Sequence, residues 1–139
     1  MPGIPVKDRR AARAPRERPT VVVLCPAAVV DSPLVREILA GLEEEGVPVG
    51  VATTDEAGPA ITLAHAAARS SALDVGVGVD TTGTVCVHHA KLPPESAAVS
   101  GTAAQARVLG HNAARLVTGI PFKPVVPLPS EGDRHGRSV

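Results

Sequence analysis

Short apolar runs alternate with amphipathic stretches along this chain. Thr20-Val-Val-Val-Leu-Cys25 is a β-branched run that suits a buried strand, and Pro26 stops it. Asp31-Ser32-Pro33 is a helix start, a capping residue followed by proline in the first turn. Leu34, Ile38 and Leu42 recur at every fourth position and mark the buried stripe of a helix running to about Glu45. Gly46 stands where a C-terminal cap belongs, and Pro48 follows it.

Val47 to Thr53 reads as a second strand and Pro59 to Ser70, rich in Ala and Leu, as a second helix. Leu73–Val79 and Thr84–His88 read as two further strands joined across Asp80-Thr-Thr-Gly83, a spacing that suggests a hairpin. Residues 90–100 read as a proline-containing loop. A third helix spans about Thr102 to Val117, with Leu109, Ala113, Leu116 and Val117 on one face and Gly119 and Pro121 at its end.

The order is βαβαββα. Two strand–helix–strand units imply parallel strands with right-handed crossovers. The expectation is a single α/β domain: a small mixed, mostly parallel sheet flanked by helices, with Rossmann-like layering. It covers residues 20–123, between a disordered basic arm at 1–19 and a flexible tail at 124–139.

Composition narrows the classes. Phe122 is the one aromatic residue, with no Trp or Tyr, so the core is built from Ala, Val, Leu and Ile. Base-stacking nucleic-acid modules need aromatic platforms and lose weight. The formal net charge is zero, yet residues 1–18 carry +4 and the remainder −4; the bland reading of that arm is a solvated tail. Cys25 and Cys86 each lie inside a Val-rich run and read as buried free thiols, not a disulfide framework. No signal-type h-region and no membrane-length apolar run is visible, so the expected location is cytoplasmic, with no membrane or nucleic-acid partner.

Few groups suggest chemistry. Gly76-Val-Gly78 with Asp80 resembles a dinucleotide fingerprint, but the glycines lie within a strand and no helix opens after them. Glycine inside a strand more often marks close backbone approach. Asp80-Thr-Thr-Gly-Thr84 reads as a turn. Cys86 and His88 share a strand face and His89 points away; zinc would need further ligands from His65 or His111. No nucleophile–base–orienter triad assembles with any specificity. Glu43-Glu44-Glu45 is the most pointed feature, because three carboxylates at a helix C-terminus oppose its dipole and repel one another. The plain reading is a solvated acidic face; the functional one is a carboxylate offered to a hard cation or a basic partner.

Three stretches, in order, carry a resemblance: Glu43-Glu-Glu-Gly-Val-Pro48; Ala66–Asp80 followed by His88-His-Ala-Lys-Leu-Pro93; and Gly110-His-Asn-Ala-Ala-Arg-Leu-Val-Thr-Gly-Ile-Pro-Phe-Lys123. Together they resemble the small subunit of diol/glycerol dehydratase reactivases, a family related to the medium subunit of the dehydratases themselves. The resemblance implies a non-catalytic subunit of a chaperone-like factor. Its large subunit is an ATPase holding Mg and ATP or ADP. By exchanging with a dehydratase subunit and pairing with the dehydratase large subunit, the small one loosens the adenosylcobalamin-dependent dehydratase and lets damaged cobalamin leave. It implies no cofactor in this chain, and a metal contact from Glu44 to the partner's Mg site. A homo-oligomer is expected when the chain is isolated, and association with a microcompartment is left open. The alternatives are a structural, medium-type subunit of a dehydratase, for which the chain is short, and an unrelated small α/β nucleotide-binding protein. The Arg-rich arm at 1–18 and the aromatic poverty lie outside the resemblance.

Overall fold

The structure, a computed structural model, describes residues 18–126. The arm and tail expected at 1–19 and 124–139 lie outside the described residues except for their inner ends. The elements are β1 (Val21–Pro26), α1 (Pro33–Glu44), β2 (Val49–Thr54), α2 (Ala60–Ser70), β3 (Val75–Val79), β4 (Thr84–His89), β5 (Val99–Thr102) and α3 (Ala106–Thr118), with short 3₁₀ turns at Ala27–Val29 and Ala103–Gln105.

Strands form one five-stranded sheet in the order β2-β1-β3-β4-β5. β1 pairs parallel with both β2 and β3, Val23 lying opposite Val51 on one side and Val77 on the other. β4 pairs antiparallel with β3 and with β5. The sheet is therefore mixed, and half of its pairings are antiparallel.

β5 is a correction to the expected order, because it falls where a loop over 90–100 was expected. Four residues with one apolar side chain and a glycine give no readable alternation. What makes Val99–Thr102 a strand is the free edge of β4, which offers its backbone groups to whatever chain passes beside it. The third helix accordingly begins later, at Ala106. The Thr102 and Gln105 side chains cap the 3₁₀ turn that precedes it.

Helix ends follow the local signals. Ser32 Oγ accepts from the Val35 amide at 3.3 Å at the start of α1. Gly46 and Gly119 take φ of +79° and +76° beyond α1 and at the end of α3, a conformation other residues adopt at a cost. The buried stripe of α1 is Val35, Ile38, Gly41 and Leu42, with Leu34 only half-buried.

Helices cover both faces of the sheet. α1 and α3 pack together over Val21, Val23, Val77 and Val87, and Leu42 and Leu109 complete that core. α2 lies on the opposite face. There, a Cβ on Gly76 would overlap the Ala67–Ala68 backbone, and one on Gly78 would overlap Ala60 and Ala64. The two strand glycines thus serve backbone approach between β3 and α2, with small residues on both sides of the contact. Val125, assigned to the tail, packs against the main core. Among the described residues no helix is long and apolar enough to cross a membrane.

Candidate functional site

Asp80, the acidic residue of the would-be dinucleotide motif, is consumed by the β3–β4 turn. Its Oδ1 accepts from the Thr82 amide at 2.9 Å, the Thr82 hydroxyl at 2.7 Å and the Thr84 amide at 3.0 Å. Burial raises its pKa, but these bonds, with one from the Ala60 amide, outweigh that and hold it below the usual value. Ala60 opens α2, so the Asp80 carboxylate also ties the β3–β4 turn to the start of that helix.

His88 is fully buried, with Nδ1 at 3.0 Å from the His89 carbonyl oxygen and Nε2 at 3.1 Å from that of Pro94. Both nitrogens face acceptors, so neither has a lone pair turned toward a metal. His65 packs on it at 4.8 Å between ring centroids, and burial first, then His88, pushes its pKa down. Burial raises both cysteine thiols, Cys25 and Cys86, which favours the protonated, unreactive form. The His/Cys residues around β4 are packing and loop-fixing groups.

The three consecutive glutamates lead elsewhere. α1 and α3 cross at Gly41 and Gly110, where a Cβ on Gly41 would overlap the Arg107 carbonyl and one on Gly110 that of Ile38. This close crossing sets the acidic flank of α1 against the basic flank of α3. Arg107 forks onto Glu37 through Nε (3.0 Å) and Nη2 (3.1 Å), and its Nη1 donates to Glu44 Oε2 at 2.7 Å. His111 Nε2 lies 2.6 Å from Glu44 Oε1, and Lys123 Nζ lies 3.0 Å from His111 Nδ1. Glu45 pairs with Arg115 at 3.2 Å and stands 3.9 Å from Lys123.

The glutamates are therefore not alike. The Glu44 side chain is 51% exposed, yet each of its oxygens is bound in-chain. Glu45 is 18% exposed and turned into the seam. The hydrogen bond from His111 lowers the Glu44 pKa most; burial opposes it, and the charges of Arg107 and Lys123 add to the lowering. In turn the Glu37 bond raises that of Arg107. The repulsion expected among the three carboxylates, and with the helix dipole, is offset from the facing helix.

Arg107, His111 and Lys123 were not singled out as partners of Glu44 from sequence. One signal was present: Glu37 and Glu44 share a face of α1, and Arg107, His111 and Arg115 share a face of α3 at helical spacing. Nothing in the sequence says that these two faces meet.

The family model described as dehydratase medium subunit matches residues 18–123. The chain belongs to that family. Among its relatives, the probable glycerol dehydratase-reactivating factor small subunit of Citrobacter freundii is 42% identical over 93 residues, 64% of this chain and 80% of that protein. The diol dehydratase-reactivating factor small subunit of Klebsiella michiganensis is 44% identical over 102 residues, 69% of this chain and 80% of the relative. Two solved structures share the fold of this dehydratase medium subunit family member over 78% of its length and the whole of theirs. One is a glycerol dehydratase reactivase, with a TM-score of 0.75 at 34% identity. The other, with a TM-score of 0.69 at 35% identity, is a diol dehydratase-reactivating factor complexed with ADP and Mg²⁺.

Against a magnesium ion, the seam of this family member has a limited donor set. Among the described residues no group of three His, Cys, Asp or Glu side chains could hold a metal. Glu44 offers one exposed carboxylate, which fits a single ligand added to an ion whose other oxygen ligands come from elsewhere.

Proposed function

We propose that this chain is the small, non-catalytic subunit of a chaperone-like reactivating factor for an adenosylcobalamin-dependent diol or glycerol dehydratase. It pairs with a large ATPase subunit that holds Mg²⁺ and ATP or ADP. By changing places with a dehydratase subunit it loosens the dehydratase and lets damaged cobalamin leave. The observation that carries this reading is the match to reactivating-factor small subunits over four-fifths of their length.

The geometry supports it in two ways. The Gly76–Asp80 stretch is spent on packing and on a turn, which speaks against a nucleotide site there. Glu44, half-exposed at the end of α1, is the group offered to the large subunit's Mg²⁺, where it adds one oxygen ligand and makes subunit pairing responsive to what the ATPase holds. Exchange needs two complexes of similar free energy, so that nucleotide state tips the balance by a coupling of about 1–3 kcal/mol. Rossmann-like layering, with no catalytic centre in the chain, belongs to the same reading, as does a cytoplasmic setting.

A second reading is favoured by the description of the matching family model: a structural, medium-type subunit of a dehydratase. Co-expression separates the two. The tagged chain is purified with the ATPase subunit and the dehydratase present, in ATP and in ADP. A stable complex with the ATPase, and nucleotide-dependent transfer onto the dehydratase large subunit, is the expected result. Incorporation into an active dehydratase with no association with the ATPase would overturn the first reading for the second.

A further inference from the structure

We infer that His111 and Arg107 are positioning residues for Glu44, fixing its carboxylate for delivery to a divalent cation held by the partner subunit, and that Lys123 sets the His111 tautomer. The inference rests on the assignment of Glu44 given above.

A glutamate at the end of a helix has many rotamers open to it and an unfavourable dipole behind it. Left alone, Glu44 would sample many orientations. Here each oxygen has its own donor, Arg107 Nη1 at 2.7 Å and His111 Nε2 at 2.6 Å. Each donor is oriented by a third group. Arg107 is held by the two-point fork on Glu37. His111 is held by Lys123, whose ammonium can only donate; Nδ1 therefore accepts, the ring proton sits on Nε2, and Nε2–H points at Glu44. Lys123 is placed in turn by the buried Asn112, which accepts from the Lys123 amide at 2.7 Å and donates to its carbonyl at 2.9 Å.

Two further facts favour positioning over sequestration. A carboxylate oxygen has two lone-pair directions, so one bond to each leaves room for a cation on the half of the side chain that faces solvent. The cluster also balances: the carboxylates of Glu37, Glu44 and Glu45 stand against Arg107, Arg115 and Lys123. An approaching cation meets no net positive charge. Carboxylate ligands of metals are commonly oriented by such outer hydrogen bonds, and losing one costs roughly 10–100-fold in metal affinity.

The test is a Mg²⁺ titration of association between the full chain and its nucleotide-loaded large subunit. His111→Ala should need about tenfold more Mg²⁺ for half-maximal association, and Arg107→Ala should shift in the same direction. His111→Gln, which restores an N–H donor, should recover most of the loss and guards against a folding defect in the alanine variant. In a Glu44→Ala background the His111 substitutions should have no effect. A wild-type titration for His111→Ala, or an equal shift with and without Glu44, overturns the positioning role while the Glu44 assignment stands. A Glu44→Ala chain with unaltered Mg²⁺ dependence overturns the assignment itself, and the inference with it. Nitrogen NMR of the free chain supplies a separate readout: His111 protonated at Nε2 is expected, and the Nδ1–H form would overturn the part given to Lys123.

Discussion

Gly41 of α1 and Gly110 of α3 meet backbone to backbone: a Cβ built on either would stand 3.1 Å from the Cα of the other and would overlap a carbonyl oxygen of the facing helix. This crossing brings Glu37 and Glu44 within reach of Arg107, and Glu44 within reach of His111. The candidate site is a consequence of two missing side chains.

Gly41→Ala and Gly110→Ala should each destabilise the domain by about 2–4 kcal/mol, because the added methyl meets backbone that cannot move without separating the helices. An alanine at Gly46 meets no neighbouring atom and strains only φ, so its cost should be smaller, about 1 kcal/mol. Urea unfolding of the three variants checks the ranking; equal costs would mean that the helices slide apart easily.

Asp80 should make stability acid-sensitive. Its folded pKa lies below its unfolded one, so its contribution is present above the unfolded value, about 4, and is lost as pH falls through the folded value. In that window the unfolded chain binds more protons, and stability rises with pH. Asp80→Asn should flatten the fall in unfolding midpoint below about pH 4 and, by weakening the cap of the turn, cost about 1 kcal/mol at neutral pH. An unchanged acid limb in the variant would show that other carboxylates dominate it.

Asn112 should control the segment that follows α3. Its buried amide makes the two-point bond to Lys123 described above, and the chain around it carries Ile120 and Phe122 on the surface, 46% and 39% exposed. Asn112→Ala leaves both Lys123 backbone groups without that partner and should cost about 1–3 kcal/mol. Hydrogen exchange should rise at Lys123 ahead of the sheet. Protection unchanged at that amide would show the bond to be dispensable.

Local signals carried much of the fold. Ser32-Pro33, Gly46 and Gly119 mark helix ends by conformational preference, which belongs to the residue and its immediate neighbours, so they are legible without the fold. The strands β1, β3 and β4 are legible for a similar reason, since β-branched runs bounded by Pro, Asp and Gly have few other uses. Gly76 and Gly78 were legible as sites of close approach, though not as to what approaches.

The tertiary structure decided the rest. β5 exists because β4 has an open edge, a property of the sheet and not of Val99–Thr102. Leu34 yields its place in the core to Val35 because the helix turns its seam toward Gly110, which no period within α1 reveals. The seam itself joins residues some 70 positions apart in the chain, such as Glu37 with Arg107. From sequence, Glu44 stood out as one of three like charges in a row; that its neighbour Glu45 turns inward while Glu44 is held at the surface by Arg107 and His111 follows from helix packing alone. Short-range preference is written in each residue, whereas the pairing of two helix faces depends on where the whole sheet sets them down.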